Sequence, residues 1–203
     1  MSATEEPAEL IVPGYSVEEE LGGSPDHRLH RGRRQSDGAF VLLKTSPHGG
    51  LDAEARLKRE LEIGHELGIV GLVPAQDLVL TSMGSALVLA DPGGEPLDRL
   101  LARGPLDLVV ALECGQQLAE TLARLHDRGF IHRDIQPGHV FVDPATRRAV
   151  LGGLGFASSV PREAPGIRAW DPREATLAYL APEQTGRIDY LVDYRADLYS
   201  LGV

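Results

Sequence analysis

Cysteine is nearly absent from this sequence: Cys114 is the single one in 203 residues. An internal disulfide and any multi-cysteine zinc site are thereby excluded. Basic residues are in deficit. Lys and Arg total 20 against 30 Asp and Glu, a formal net charge of −10. A surface that acidic repels phosphate backbones and anionic lipid, so no nucleic acid and no membrane surface is expected as a partner. Long apolar runs are missing too. No stretch of 18 apolar residues occurs, so no transmembrane helix is predicted. Met1 to Leu10 carries three glutamates and no basic flank ahead of an apolar run, which is not a signal peptide. The cytoplasm is the expected compartment. No repeat with a period of about 20 to 50 residues is present. The histidines form no metal site by spacing: His27 and His30 are the closest pair, with no further ligand at a matching interval.

What is present suits a folded domain. Hydrophobic residues make up 42% and charged residues 25%, enough to bury a core. Gly (23) and Pro (14) announce many turns. Residues 1–13 read as a flexible acidic leader. Tyr15–Leu21 reads as a strand, Gly22 to Pro25 as a turn, and Arg28–Arg34 as a second strand. Ser36-Asp37-Gly38 turns the chain into Ala39–Lys44, the clearest strand. A helix is predicted over 52–67. Leu57, Leu61, Ile63 and Leu67 fill one arc of about 160°, and Glu60 falls inside it. A carboxylate there must be buried or reach a partner. Leu78–Thr81 and Ser85–Ala90 read as strands, and Asp91-Pro92-Gly93-Gly94 breaks the chain. Residues 105–128 are predicted as a long helix, Pro105 in its first turn and Gly129 just past its end. Its apolar positions include Leu108, Leu112, Leu118, Leu122 and Leu125, with Cys114 as a small core residue. After Phe130 to Pro137 comes a hairpin, Val140–Val142 and Ala149–Leu151. Residues 152–183 lack periodicity, and a loop that long is usually functional. A final helix begins near Asp193 and runs to the last residue.

This order of parts resembles a protein kinase domain, and the residues that carry the resemblance are local. Val41-Leu42-Leu43-Lys44 is similar to the strand whose lysine holds nucleotide phosphates, with Glu60 as its helix partner. His132-Arg133-Asp134 resembles the catalytic loop, and Asp134 stands at the position of the base. Ala181-Pro182-Glu183 resembles the end of the activation segment, and Thr176 the threonine typical of serine/threonine kinases. Asp197 resembles the helix residue that braces the catalytic loop. The four landmarks 44, 134, 183 and 197 stand in the right order and spacing. Gly22 and the hinge backbone at Ala90 and Asp91 stand where the family holds the nucleotide. Glu-Gln-Thr-Gly-Arg at 183–187 followed by Asp193-Tyr194-Arg195 is similar to bacterial hybrid proteins that join a serine/threonine kinase domain to an ATPase module and a sensor histidine kinase.

The resemblance implies an α+β, bilobal, kinase-like fold. A small antiparallel-sheet lobe with one helix (14–91) would pack on a mainly helical large lobe (92–203) that is C-terminally incomplete. The chemistry departs from the family at defined places. Magnesium in kinases is held by an Asp after the hairpin and an Asn in the catalytic loop. Here those positions are Gly153 and His139. Glycine offers no ligand atom, and imidazole suits magnesium poorly. Gln136 replaces the usual lysine, and the phosphate-covering loop has Gly22, Ser24 and His27 where three glycines are expected. Leu42 narrows the adenine slot, because it shares a strand face with Lys44.

Each residue has a plain structural reading beside the functional one. Asp134 could hydrogen-bond its own loop, His132 is expected in the core, and Arg133 could pair with any carboxylate. The Arg31, Arg33 and Arg34 cluster reads as a solvated face. The expected function is a regulatory or docking pseudokinase in bacterial signal transduction that binds ATP weakly and without magnesium. A protein partner and further domains of a longer hybrid protein are expected. The alternative is an active ATP-dependent serine/threonine kinase.

Overall fold

The computed structural model describes residues 10–24, 27–46, 51–81, 84–159, 177–185 and 191–203. Thr176 lies outside the described residues, as do most of the acidic leader and Arg187.

Strand β1 (Tyr15–Ser24), β2 (His27–Arg34), β3 (Phe40–Thr45), β4 (Ala75–Thr81) and β5 (Gly84–Ala90) form one antiparallel sheet in the order β1-β2-β3-β5-β4. The run Val41-Leu42-Leu43 is apolar throughout because both faces of the sheet are covered. Val41 and Leu43 pack with Val12, Ala86 and Val88 on one face. Leu42 turns to the other face and packs with Leu29, Leu87 and Leu89. Helix α1 (Leu51–Leu67) lies on that second face, burying Leu57 into the same cluster. The glycine segment after Leu21 is not the expected turn. Gly22, Gly23 and Ser24 continue β1, paired with Leu29, Arg28 and His27, so the two strands reach further than their apolar pattern shows.

After the hinge come two short elements that carry little periodic signal, β6 (Glu95–Pro96) and α2 (Leu97–Leu101). Helix α3 runs from Leu108 to Asp127, three residues later than Pro105. The reason is local. Asp107 caps it, its Oδ1 accepting from Val109 N–H at 2.9 Å, and that side chain ends the competition over where the helix starts. Gly129, at φ 75°, closes the other end. Strand β7 (Phe130–Ile131) leads to the hairpin β8 (Val140–Asp143) and β9 (Arg148–Leu151), and β10 (Ser158–Ser159) pairs back onto β7. Short 3-10 turns occupy Pro137–His139, Leu154–Phe156 and Pro182–Thr185. Helix α4 spans Arg195–Gly202.

The two halves are joined by backbone as well as by side chains. Val73 N–H donates to Leu151 O, and Leu151 N–H donates to Gly71 O, each at 2.8 Å. Gly71 sits at φ 102°, and a Cβ there would run into Thr121 Oγ1 on α3. A second joint is apolar: Phe141 and Val150 of the hairpin share a cluster with Leu21, Leu29, Leu42 and Leu89 of the sheet.

Candidate active site

The cleft between sheet and hairpin collects the chemistry-bearing residues. Lys44 on β3 and Glu60 on α1 meet with Nζ–Oε2 at 2.7 Å, their side chains 12% and 4% exposed. Strand alternation aims Lys44 at the cleft beside Leu42, and the helical period aims Glu60 back at it. Burial alone would raise the Glu60 carboxyl, but the Lys44 ammonium overrides it and holds the carboxyl below the usual range. The other oxygen, Oε1, accepts from Gly153 N–H at 3.1 Å. Arg59, one residue earlier, donates from Nε to Ala157 O, so α1 is tied to the segment after the hairpin at two points. Arg59 had no signal in the sequence, because one exposed arginine on a helix looks like any other.

The loop after β7 is organised around two buried groups. Asp197 on α4 is fully buried. Its oxygens accept from His132 N–H and Arg133 N–H, each at 2.8 Å, and its Oδ2 is 2.8 Å from His126 Nε2. These bonds hold Arg133 at φ 69°, a left-handed conformation that costs a non-glycine residue about 1 kcal/mol or more. His132 lies in the core, as its sequence context suggested. Its Nε2 donates to Gly152 O at 2.9 Å, and burial pushes its imidazole well below the ordinary histidine range. Gln184, read in the sequence only as one letter of the 183–187 run, accepts from Ala181 N–H and donates to Arg133 O at 2.8 Å. It ties Ala181-Pro182-Glu183 to the loop, with Glu183 itself half-buried in its 3-10 turn.

Asp134 is buried, and its carboxylate is held internally. Oδ1 accepts from Gln136 Nε2 at 2.8 Å, and Oδ2 lies 3.3 Å from His139 Nδ1. His139 Nδ1–H donates to Asp134 O at 2.8 Å, while its Nε2 is buried without a hydrogen-bond partner among the described residues. The ring of His139 occupies the space beside Gly153. A Cβ on Gly153, which sits at φ 85°, would come within 2.6 Å of that ring. His139 and Gly153 are thus one packing unit. On the opposite wall, His27 brings its ring to 5.7 Å from the ring of His139, centroid to centroid. Burial, with Lys44, His139, Arg56 and Arg28 nearby, lowers the His27 pKa to about 2. Among the described residues no group of three or more His, Cys, Asp or Glu is placed to hold a metal ion.

At the hinge the solvated-face reading of Arg31 fails. Its Nε donates to Asp91 Oδ2 at 2.6 Å and its Nη2 to Gly94 O at 2.7 Å, and the Asp91 side chain is only 7% exposed. Arg31 lies opposite Leu42 across β2 and β3, on the cleft face, which the period-2 reading of β2 could have revealed. Glu19 is 3.8 Å from Arg31 and accepts from Arg99 of α2 at 2.8 Å, so β1, β2, hinge and α2 are tied together. Arg33 and Arg34 do remain on the surface, paired with Glu18 and Asp37. Ala90 N–H is used within the fold, donating to Pro74 O at 2.8 Å. Pro92 has no N–H to offer. Gly22 carries open space where a Cβ would stand, at φ 132°.

A model of the protein kinase domain matches residues 15–203. The serine/threonine-protein kinase pkn2 of Myxococcus xanthus is 35% identical over 205 residues, covering 97% of this chain and 24% of the relative. PknA of Mycobacterium tuberculosis, also a serine/threonine-protein kinase, is 34% identical over 184 residues, covering 88% of this chain and 40% of the relative. The chain therefore spans less than half the length of these relatives. No helix among the described residues is long and apolar enough to cross a membrane. With an antiparallel sheet over a lysine–glutamate pair, a buried aspartate bracing the His132-Arg133-Asp134 loop and these matches, the chain belongs to the protein kinase family.

Proposed function

We propose that this chain is a catalytically impaired kinase-family domain, a pseudokinase that serves as a regulatory or docking module for a protein partner in bacterial signalling. Its small lobe is residues 14–91 and its large lobe begins at 92. It acts in the cytoplasm, within a longer hybrid signalling protein. It binds ATP weakly, through Lys44 and the hinge carbonyl at Ala90.

The observation that carries this reading is the joined substitution at His139 and Gly153. Magnesium needs oxygen ligands in near-octahedral geometry. The residues present do not fit it: one position has no side chain, and the other presents an imidazole whose Nδ1–H is already given to Asp134 O. Asp134 itself is bonded to Gln136 and faces His139, which favours its loop-holding role over a free base. Pro92 and Leu42 add to this from the adenine side, by a missing donor and by bulk.

In magnitude, loss of the metal removes several kcal/mol of transition-state stabilisation. About 4 kcal/mol is roughly a thousandfold in rate. Radiolabelled transfer from ATP to a generic basic substrate, and to the chain itself, is expected at or below about 0.1 per second, against about 1–100 per second for kinases. Restoring Gly153→Asp alone leaves transfer at that level, because its Cβ meets the His139 ring. Transfer within about tenfold of an ordinary kinase rate, abolished by Asp134→Asn, overturns the reading. The second reading, an active serine/threonine kinase, is favoured by one feature, the intact Lys44–Glu60 pair. The same assay decides between them.

A further inference from the structure

Three of the departures from the family pattern meet at one point. His27 stands at the last position of the phosphate-covering loop, His139 in the catalytic loop, and Gly153 after the hairpin. The His27 and His139 ring centroids are 5.7 Å apart with planes inclined at 32°, and the His139 ring fills the room that only a glycine at 153 leaves open. We propose that His27 is an internal occupant of the phosphate end of the cleft, a latch seated on His139 that decides whether a phosphate-bearing ligand can enter.

The geometry carries this in three ways. First, His27 belongs to β2 and His139 to the loop before β8, so their contact joins the roof of the cleft to its floor. Second, the roof residue is held from behind. Gly23 lies against the His27 backbone so closely that no Cβ fits between them, which seats the end of β1 on the start of β2. Third, the floor residue is fixed by its bond to Asp134 O at 2.8 Å and by Gly153. An imidazole at 27 is also a ring that a glycine at this position would not supply. Lys44 is among the charges that act on the His27 ring, so the latch sits at the Lys44 end of the site, where a phosphate group would have to enter.

The inference rests on the reading that magnesium is not held here, and it goes further by naming the residue that blocks the site. If the latch is closed 90–99% of the time, removing it raises apparent affinity about 10–100-fold. The experiment is calorimetric titration of the full chain and its variants with ATP, with EDTA present throughout. His27→Gly is expected to bind at least about tenfold more tightly than the parent. His27→Phe, which keeps a ring of similar reach and removes the titratable nitrogen, is expected to stay as weak as the parent. A folded His27→Gly variant that binds no more tightly overturns the proposal, and so does a His27→Phe variant that binds as tightly as His27→Gly. Should the glycine variant fail to fold, the parent chain still decides: nuclear Overhauser contacts between the ring protons of His27 and His139 are expected, and their absence overturns the latch. Phosphate transfer is read in a separate assay, so fast transfer by the parent would sink the impaired-kinase reading without being confused with these outcomes.

Discussion

Glu60 shows what a single side chain can demand. Its place inside an apolar helical arc requires a partner, and Lys44 supplies one at 2.7 Å. Removing one member of a buried ion pair leaves the other uncompensated, at about 3–5 kcal/mol. Lys44→Met is expected at the low end of that range, about 3 kcal/mol, because Glu60 keeps the Gly153 N–H. Denaturant unfolding of the single variant and of Lys44→Met/Glu60→Met checks this, the double variant losing less than the single one. The histidines give a second expectation at this scale. His27 in the folded chain titrates near 2 instead of the ordinary 6.5. Between those values the unfolded chain binds the extra proton, so stability is whole above pH 6.5 and falls as pH drops below it. The slope for one such imidazole approaches about 1.4 kcal/mol per pH unit. Burial of His132 acts in the same direction. The lowered Glu60 carboxyl adds a further loss below its ordinary 4.5. Melting temperatures that fall from pH 7.5 to 5.5, with a shallower fall in His27→Phe, are the expected result. A flat profile contradicts the burial of both rings.

Among elements, α4 and the loop after β7 depend on each other. The contacts of Asp197 span 64 to 71 residues of chain, and only α4 brings that carboxylate under the loop. Asp197→Asn keeps the shape and halves the acceptor capacity, leaving a buried N–H unmatched at about 1–3 kcal/mol. The expected outcome is that loss in stability, together with faster amide exchange at His132 and Arg133. Hydrogen exchange by mass spectrometry or NMR reads it. The same scale explains where element boundaries shifted. Helix α3 begins at Leu108 because Asp107 caps it, and Leu108 and Leu112, apolar by pattern, end up 71% and 65% exposed. Leu118, Leu122 and Leu125 take the core instead.

Across the whole molecule, two sets of exposed apolar side chains are close along the chain. Leu108, Val109 and Leu112 lie on the first turns of α3, and Tyr194, Leu198 and Tyr199 lie on or beside α4. Runs of exposed apolar side chains favour association. The 203-residue chain is expected to self-associate at micromolar concentration despite its net charge of −10. Sedimentation velocity over a concentration series checks it. Leu108→Ser/Leu112→Ser should shift the distribution toward monomer, and a parent chain that stays monomeric throughout counts against the expectation.

What the sequence determined by itself is what short-range chemistry writes down. The apolar run Val41–Leu43 ending in Lys44, the helical arc with Glu60 inside it, and the His132-Arg133-Asp134 run are each written within one segment. From these the sheet, its helix and the family resemblance were legible, as were the histidine at 139 and the glycine at 153. Only the tertiary structure decided which of these residues touch. Arg31 looked like surface until β2 lay against β3 and the hinge and carried its guanidinium to Asp91. Arg59 looked ordinary, and Gln184 was one letter of a motif without a contact, until the chain folded them onto Ala157 and Arg133. His27, His139 and Gly153 read as three separate departures in the sequence, and become one contact only in space. The physical reason is that periodicity reports which face a side chain is on. The partner on the far side of that face comes from segments tens of residues away, and long-range packing chooses it.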